Sequence, residues 1–483
     1  MDIDAVIYKI FLPIVVHGVL AVLASIHAMM NKRDPRSAIG WIAVCILFPL
    51  AGPIIYFFFG INRVRKKART LRPGRGAPAM RGSERSVFSP PADSPPGRTP
   101  EDFGSFFQVS EKVTRLPVMG GNSLQMFEAG EEAYPSMLGA ISRATHTVYL
   151  STYIFLHDGT GRKFLEELEK AHLRGVDVRV LLDGIGEFYS FYRISAVLRK
   201  KGVPLARFLP PGILPPSFSI NLRNHRKILS VDGQLCYVGG MNIGDHHLLA
   251  GDHRHRTRDI HFMVEGDAVR QVEHAFLEDW NFAVGIDPPP PPEPVSGGPW
   301  RPVSCRTVVD GPDENLNKLA DILLGAISAA DRSVFIMTPY FLPPREMISA
   351  LNSAALRGVE VTVILPGKNN LPFVHWATRN LLWELLLKGV RIFYQPPPFA
   401  HSKLFVADNR YSMIGSANID PRSLRLNFEI GLEIFDEGFS SRLCRYCEEV
   451  KKRSKEVTLE MMDGRPLPAK LRDSFFWLFS PYL

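Results

Sequence analysis

His225–Ile243 reads HRKILSVDGQLCYVGGMNI, and His401–Ile419 reads HSKLFVADNRYSMIGSANI. Both contain H-x-K-x4-D: His225, Lys227 and Asp232 in the first, His401, Lys403 and Asp408 in the second. Both run on, at one spacing, into G-[GS]-x-N, which gives Gly240 and Asn242, then Ser416 and Asn418. Residues two apart on a strand share a face, so each His is expected beside its Lys. Lysine supplies a point charge, asparagine an amide donor to non-bridging oxygens, and glycine a close backbone approach, which together suit a phosphate. One H-x-K alone reads as a solvated strand edge. Two with matched spacing read as one catalytic site built from both copies.

The match extends outward. Ala140–Phe155 (AISRATHTVYLSTYIF) aligns without a gap with Ala326–Phe341 (AISAADRSVFIMTPYF), and Arg174–Leu182 (RGVDVRVLL) pairs with Arg357–Leu365 (RGVEVTVIL). Each pair gives the end of a helix and then a β-branched, alternating strand. The expected class is α/β, with two tandem domains over 106–286 and 305–483, pseudo-twofold symmetry and a mostly parallel sheet. A Pro-rich linker over 287–304, with five prolines at 288–292, marks the seam.

Residues 1–62 are of another kind. The stretches 5–30 and 38–61 are apolar, with Lys9 the only charge in either, and each has the length of a membrane crossing. The opening Asp2 and Asp4, followed by two apolar runs, speak against a cleaved signal peptide. The expectation is a transmembrane hairpin, either two full spans or one span and a segment that dips and returns at Pro49, Gly52 and Pro53. Arg63, Arg65, Lys66, Lys67 and Arg69 follow and suit the anionic cytoplasmic face of a membrane. Residues 63–105 read as a basic, Pro/Gly-rich tether. Residues 1–99 hold 14 Lys/Arg against 5 Asp/Glu, and the remainder 43 against 44. A nearly neutral body is not that of a protein tracking nucleic acid. Five scattered cysteines give no disulfide framework, and Cys444 and Cys447 read as one face of a helix. The polar loop Asp252–His255 reads as solvated, and no metal or other cofactor is expected.

The doubled H-x-K-x4-D with its G-[GS]-x-N resembles the signature of the phospholipase D superfamily. The flanks, NLRNHRK at 221–227, TPYFLP at 338–343, the Asn31–Gly60 segment and WLFSPYL at 477–483, resemble bacterial cardiolipin synthases. Gly240 departs from the pattern, since Ser416 holds its place in the second copy. The resemblance implies that His225 attacks phosphorus to form a phosphohistidine, and that His401 protonates the leaving alcohol and then activates the incoming one. An acidic residue should orient each ring: Glu429 is assigned to His401 and Asp259 to His225, while Asp232 and Asp408 support the motifs structurally. The implied reaction joins two phosphatidylglycerols into cardiolipin and glycerol at a bacterial inner membrane, with a multi-pass anchor and a cytoplasmic catalytic body. Anionic membrane lipids are the expected partners. A membrane phospholipase D releasing phosphatidic acid is the alternative. Phe208–Ile220 is apolar and Pro-rich and reads as a border of the lipid entrance.

Overall fold

The computed structural model describes residues 3–32, 34–61, 104–190, 192–211, 222–251, 255–286, 303–313 and 315–480. The basic run after Gly60, the tether, the five-proline seam, most of the 208–220 loop and residues 252–254 lie outside these. The chain divides into two units, Met1–Leu71 and Arg72–Leu483.

In the first unit Ile3–Asn31 is one helix, and its part Phe11–Asn31 is long and apolar enough to cross a bilayer. The second apolar stretch is not continuous. Helix Pro35–Leu47 stops before Pro49, Leu50 takes φ 57°, and the chain restarts as Ala51–Ile55 and a π-turn over Tyr56–Gly60. The restarted helix leans on helix Pro35–Leu47 at Gly52, where a Cβ would meet the Val44 carbonyl at 2.1 Å. The break separates the Leu50 N–H from the Ile46 carbonyl, its ordinary helical partner. His17 bridges that gap: its Nδ1 accepts from Leu50 N–H at 3.2 Å and its Nε2 lies 3.3 Å from the Ile46 carbonyl. His27 Nδ1 meets the Tyr56 hydroxyl at 2.8 Å. In hydrocarbon a helix can break only where freed backbone groups find partners, and here a side chain from the neighbouring helix supplies them. The second apolar stretch is therefore two helical pieces and not one continuous helix.

Among the described residues of the second unit the first copy has eight strands: β1 (Met119–Phe127), β2 (Thr147–Thr152), β3 (Asp177–Asp183), β4 (Leu205–Phe208), β5 (Ile228–Val231), β6 (Leu235–Gly239), β7 (Thr257–Arg258) and β8 (His261–Glu265). The second copy has β9 (Val303–Asp310), β10 (Ser333–Met337), β11 (Glu360–Pro366), β12 (Arg391–Gln395), β13 (Phe399–Ala400), β14 (Leu404–Ala407), β15 (Tyr411–Gly415), β16 (Glu429–Phe435) and β17 (Lys455–Val457). Fifteen of these form one sheet, in the order β17-β12-β11-β10-β14-β15-β16-β9-β1-β8-β6-β5-β2-β3-β4. Read outward from β9 and β1, the two halves repeat each other strand for strand, and β17 adds one strand at the outer edge of the second. The copies thus share a single sheet, joined where β1 runs antiparallel to β9.

The sheet is mixed, not mostly parallel. Parallel pairing is confined to β2-β3-β4 and β10-β11-β12, where helices cross over between strands. The motif strands β5-β6 and β14-β15 are hairpins, and a hairpin is antiparallel by construction. Each half keeps its own apolar core. Gly159–Leu173, capped where Asp158 accepts from Gly161 N–H, buries Phe164, Leu165 and Leu168, a 3.6-residue stripe, against the first half of the sheet. Lys318–Ala329 buries Leu319, Ile322, Leu323 and Ile327 against the second. Cys447 packs inward, its Sγ 3.6 Å from Met337 Sδ.

Candidate active site

Lys227 immediately precedes β5 and Lys403 immediately precedes β14, so the H-x-K residues sit just ahead of the strands and not within them. Their backbones are spoken for by the opposite copy. His225 N–H donates to the Phe428 carbonyl at 2.9 Å, and His401 N–H to the Arg258 carbonyl at 2.8 Å. The short parallel pair β7-β13 and the Asn224–Phe428 bridge continue these contacts. Each motif therefore crosses the seam before it enters its own sheet strand.

That crossing overturns the carboxylate assignment made from sequence. His225 Nδ1 lies 3.0 Å from Glu429 of the second copy, and His401 Nδ1 lies 2.7 Å from Asp259 of the first. Carboxylate and imidazole are exchanged between halves, because β8 and β16 flank the central β1-β9 pair and the acidic residues at or just before their starts face the opposite copy. Both carboxylates are sealed from solvent while the His225 and His401 side chains keep 13% and 12% of their surface open. Each ring is thus gripped at Nδ1 and keeps part of its surface open, with Lys403 Nζ 3.1 Å from His401 Nε2.

The two dyads differ. Ser416 Oγ donates to Glu429 at 2.5 Å, and Asn427 Nδ2 donates to its other oxygen at 3.1 Å. Burial raises the Glu429 pKa, but His225, Lys227 and Ser416 outweigh it and hold the carboxyl down at about 2. Among the described residues no hydroxyl donates to Asp259, whose partners are His401 Nδ1 and the Ile260 N–H. Gly240 stands in the place of Ser416, and a Cβ there would come within 2.5 Å of the Asp259 carboxylate. Burial pushes Asp259 up to about 6, with Lys403 opposing. Burial also takes His225 down to about 4 and His401 well below its ordinary value. Lys227 falls to about 7 and Lys403 to about 8, again chiefly through burial. Lys403 lowers the basicity of His225, and Lys227 that of His401, so the charges of both copies act in one space.

Asp232 and Asp408 lie one strand-length away, in the turns that follow β5 and β14, with φ of 54° and 53°. Asp232 accepts from the N–H groups of Thr145, His146 and Thr147 at 2.8–2.9 Å, and Asp408 from those of Asp331, Arg332 and Ser333 at 2.8–2.9 Å. They fasten the starts of β2 and β10 and do not belong among groups that touch a phosphate. Asn242 Oδ1 accepts from Ile154 N–H at 3.1 Å, and Asn418 Nδ2 donates to Ser423 Oγ at 3.1 Å. Asn242 thus steadies the Thr152–Phe155 turn that follows β2. Sequence reading missed Asn427 and Arg226. Arg226, buried, pairs with Asp279 at 2.6 Å and reaches the Glu429 carbonyl at 3.1 Å, tying the first motif to β16. Its place between His225 and Lys227 was the available signal, but an Arg there reads equally well as a solvated cation.

The family described as "Cardiolipin synthase, PLD-like domain" matches residues 137–280 and 323–451, one stretch in each copy. This chain belongs to the cardiolipin synthase family. A second match, to the phospholipase D-nuclease N-terminal family, covers residues 19–60. Relatives include the major cardiolipin synthase of Bacillus subtilis, 31% identical with 95% of this chain and 96% of that one covered. The cardiolipin synthase of Geobacillus kaustophilus is 30% identical, covering 94% of this chain and 90% of that one. Among solved structures, the phosphatidylserine synthase of Haemophilus influenzae overlays with a TM-score of 0.62 over 79% of this chain and all of the other. At 16% identity that likeness concerns the fold alone. For a cardiolipin synthase family member the paired fold, the doubled motif and the apolar N-terminal unit form one consistent set.

Proposed function

We propose that this enzyme transfers a phosphatidyl group from one phosphatidylglycerol to the headgroup hydroxyl of a second, giving cardiolipin and glycerol. His225 Nε2 bonds to phosphorus as the P–O bond to glycerol breaks, and His401 gives the departing oxygen its proton. The second phosphatidylglycerol then loses its hydroxyl proton to His401 and takes phosphorus from His225. The unequal dyads support these roles. Glu429, ionised throughout the neutral range, stabilises the positive charge that His225 acquires on attack. The His401–Asp259 pair, with Asp259 near 6, can hold one proton between its members, as an acid must. The bound phosphodiester's negative charge opposes the lysines that depress His401 and so favours its protonated form.

Lys227 and Lys403 neutralise the phosphate oxygens. The loop after β3, with Phe188, Tyr189 and Tyr192 exposed, borders the same end of the sheet and offers apolar surface to acyl chains. The unit Met1–Leu71 anchors the enzyme in the bacterial membrane, and the Arg63–Arg69 run favours a cytoplasmic body. The exchange of His–carboxylate pairs between the copies is the observation that carries the reading. Purified enzyme with phosphatidylglycerol should yield cardiolipin and glycerol in equal amounts, and neither His225→Ala nor His401→Ala should. Phosphatidic acid as the main product would replace transfer with hydrolysis.

A further inference from the structure

Helix Leu467–Trp477 is turned inside out for a helix on a water-soluble surface. Its buried side holds a charge. Asp473 is sealed from solvent and receives Arg379 at 3.0 Å, Arg465 at 2.5 Å and Arg472 at 2.8 Å. Phe476 packs on Trp376 beside it, with ring centroids 5.0 Å apart. Its outward side holds Leu467, Leu471, Phe475 and Leu478, each more than half exposed. At i, i+4, i+8 and i+11 these four make a single stripe, the pattern that ordinarily faces a core. The neighbouring helix Pro372–Leu386 and the residues after it add Trp383 and Leu387, both about half exposed. A shallow cavity of about 600 Å³ opens between Asn380 and the stripe.

We propose that this face docks on an anionic bilayer, an inference that rests on the phospholipid chemistry above. Two features select that occupant over water or another protein. The first is charge: three guanidiniums share one carboxylate, which leaves two positive charges next to an apolar stripe, and Arg472 is still a third exposed. Apolar side chains flanked by basic ones are what an anionic interface takes up. The second is position. Helix Pro372–Leu386 begins one loop past the end of β11, and β14 pairs with β10 so that Lys403 lies at that same end. Tyr340, whose ring lies 6.3 Å from that of His401, bonds Asn370 in the loop at 2.8 Å. The part of the face beside Trp376, where Phe476 packs, therefore lies toward the catalytic end of the sheet, while Trp383 and Leu387 lie toward the opposite end. The ion cluster fixes the orientation, because turning the stripe inward would bring Asp473 out and strand its arginines.

The test uses the full chain in nanodiscs, with Cys444→Ser removing the one cysteine that is not buried. Nitroxides placed at Leu471→Cys and Phe475→Cys should become more accessible to oxygen than to a water-soluble nickel chelate in phosphatidylglycerol-containing discs, and less so in pure phosphatidylcholine. Labels that stay in water in both lipids overturn the proposal, and so does dipolar broadening from a second copy. Leu471→Glu combined with Phe475→Glu should lower cardiolipin formation from bilayer phosphatidylglycerol about tenfold or more. Turnover of dihexanoyl-phosphatidylglycerol dispersed as monomers should stay within about twofold of wild type, since no docking is needed. Equal loss on both substrates, or none on the bilayer, contradicts docking. Wild type inactive on both would sink the proposed chemistry, while the labels would still decide the docking.

Discussion

Replacing Glu429 with Gln tests the exchanged dyads at the level of single atoms. Glu429 accepts His225 Nδ1–H and Ser416 Oγ–H, and Asn427 Nδ2–H at its other oxygen. A Gln can keep the first two contacts and turn its NH2 toward Asn427, whose buried Oδ1 has no partner among the described residues and can receive it after an amide flip. The fold should survive, so the change removes one negative charge and little else. A charge-assisted hydrogen bond exceeds a neutral one by about 1–2 kcal/mol, and the charge also faces the cation formed on His225, so the transition state should lose about 2–3 kcal/mol. That is roughly 30- to 150-fold in kcat. The assay compares phosphatidylglycerol with phosphatidyl-p-nitrophenol, whose leaving group departs without a proton. Glu429→Gln should slow the first turnover equally on both, because attack by His225 is impaired in each. Asp259→Asn should cost as much on phosphatidylglycerol but only a few-fold in the p-nitrophenol burst, because only the acid is impaired. If Asp259→Asn were the variant that slowed both, Asp259 would serve the nucleophile, and the roles drawn from the dyads would be wrong.

Three further outcomes follow from the same geometry. Because Lys227 and Lys403 lose their protons at about 7 and 8, kcat/KM of the free enzyme for the anionic lipid should fall as pH rises through that range, and Lys227→Arg should carry the falling limb to higher pH. A flat profile to pH 9 would contradict lysine neutralisation. Asp232→Ala removes the acceptor for three backbone N–H groups and should cost about 2–3 kcal/mol of stability, read by denaturant titration, with kcat at low temperature nearly unchanged. A collapse of kcat in folded protein would return Asp232 to the chemistry. Arg306 lies 2.9 Å from Glu433 with both fully buried, and Glu433 also receives Ser110 Oγ at 2.5 Å and Tyr411 OH at 3.0 Å. Arg306→Ala strands that carboxylate and should destabilise the body by about 3–5 kcal/mol and loosen helix Gly104–Thr114, measurable as faster hydrogen exchange there.

The duplication, the helix and strand order of each copy and the paired His-Lys motifs were all legible in the sequence, because they are local patterns that occur twice. The carboxylate pairing was not. Spacing along the chain suggests that Glu429 serves His401, 28 residues before it, and nothing in a linear pattern shows that both motifs cross a seam. The mixed sheet was hidden for a related reason: alternating helices and strands announce the parallel thirds, while the hairpins around Asp232 and Asp408 reverse direction within a few residues. In the membrane unit Pro49, Gly52 and Pro53 announced a break, but the role of His17 needs the neighbouring helix in place. The outward apolar stripe escaped notice because its meaning depends on Asp473, whose partners come from residues 379, 465 and 472.

One structure with orthovanadate bound would test the claim that both imidazoles serve a single phosphorus. The expected result is one vanadium, bonded to His225 Nε2, with an apical oxygen within hydrogen-bond reach of His401 Nε2 and equatorial oxygens on Lys227 and Lys403. Two vanadates in separate cavities, or one that touches a single copy only, would contradict it.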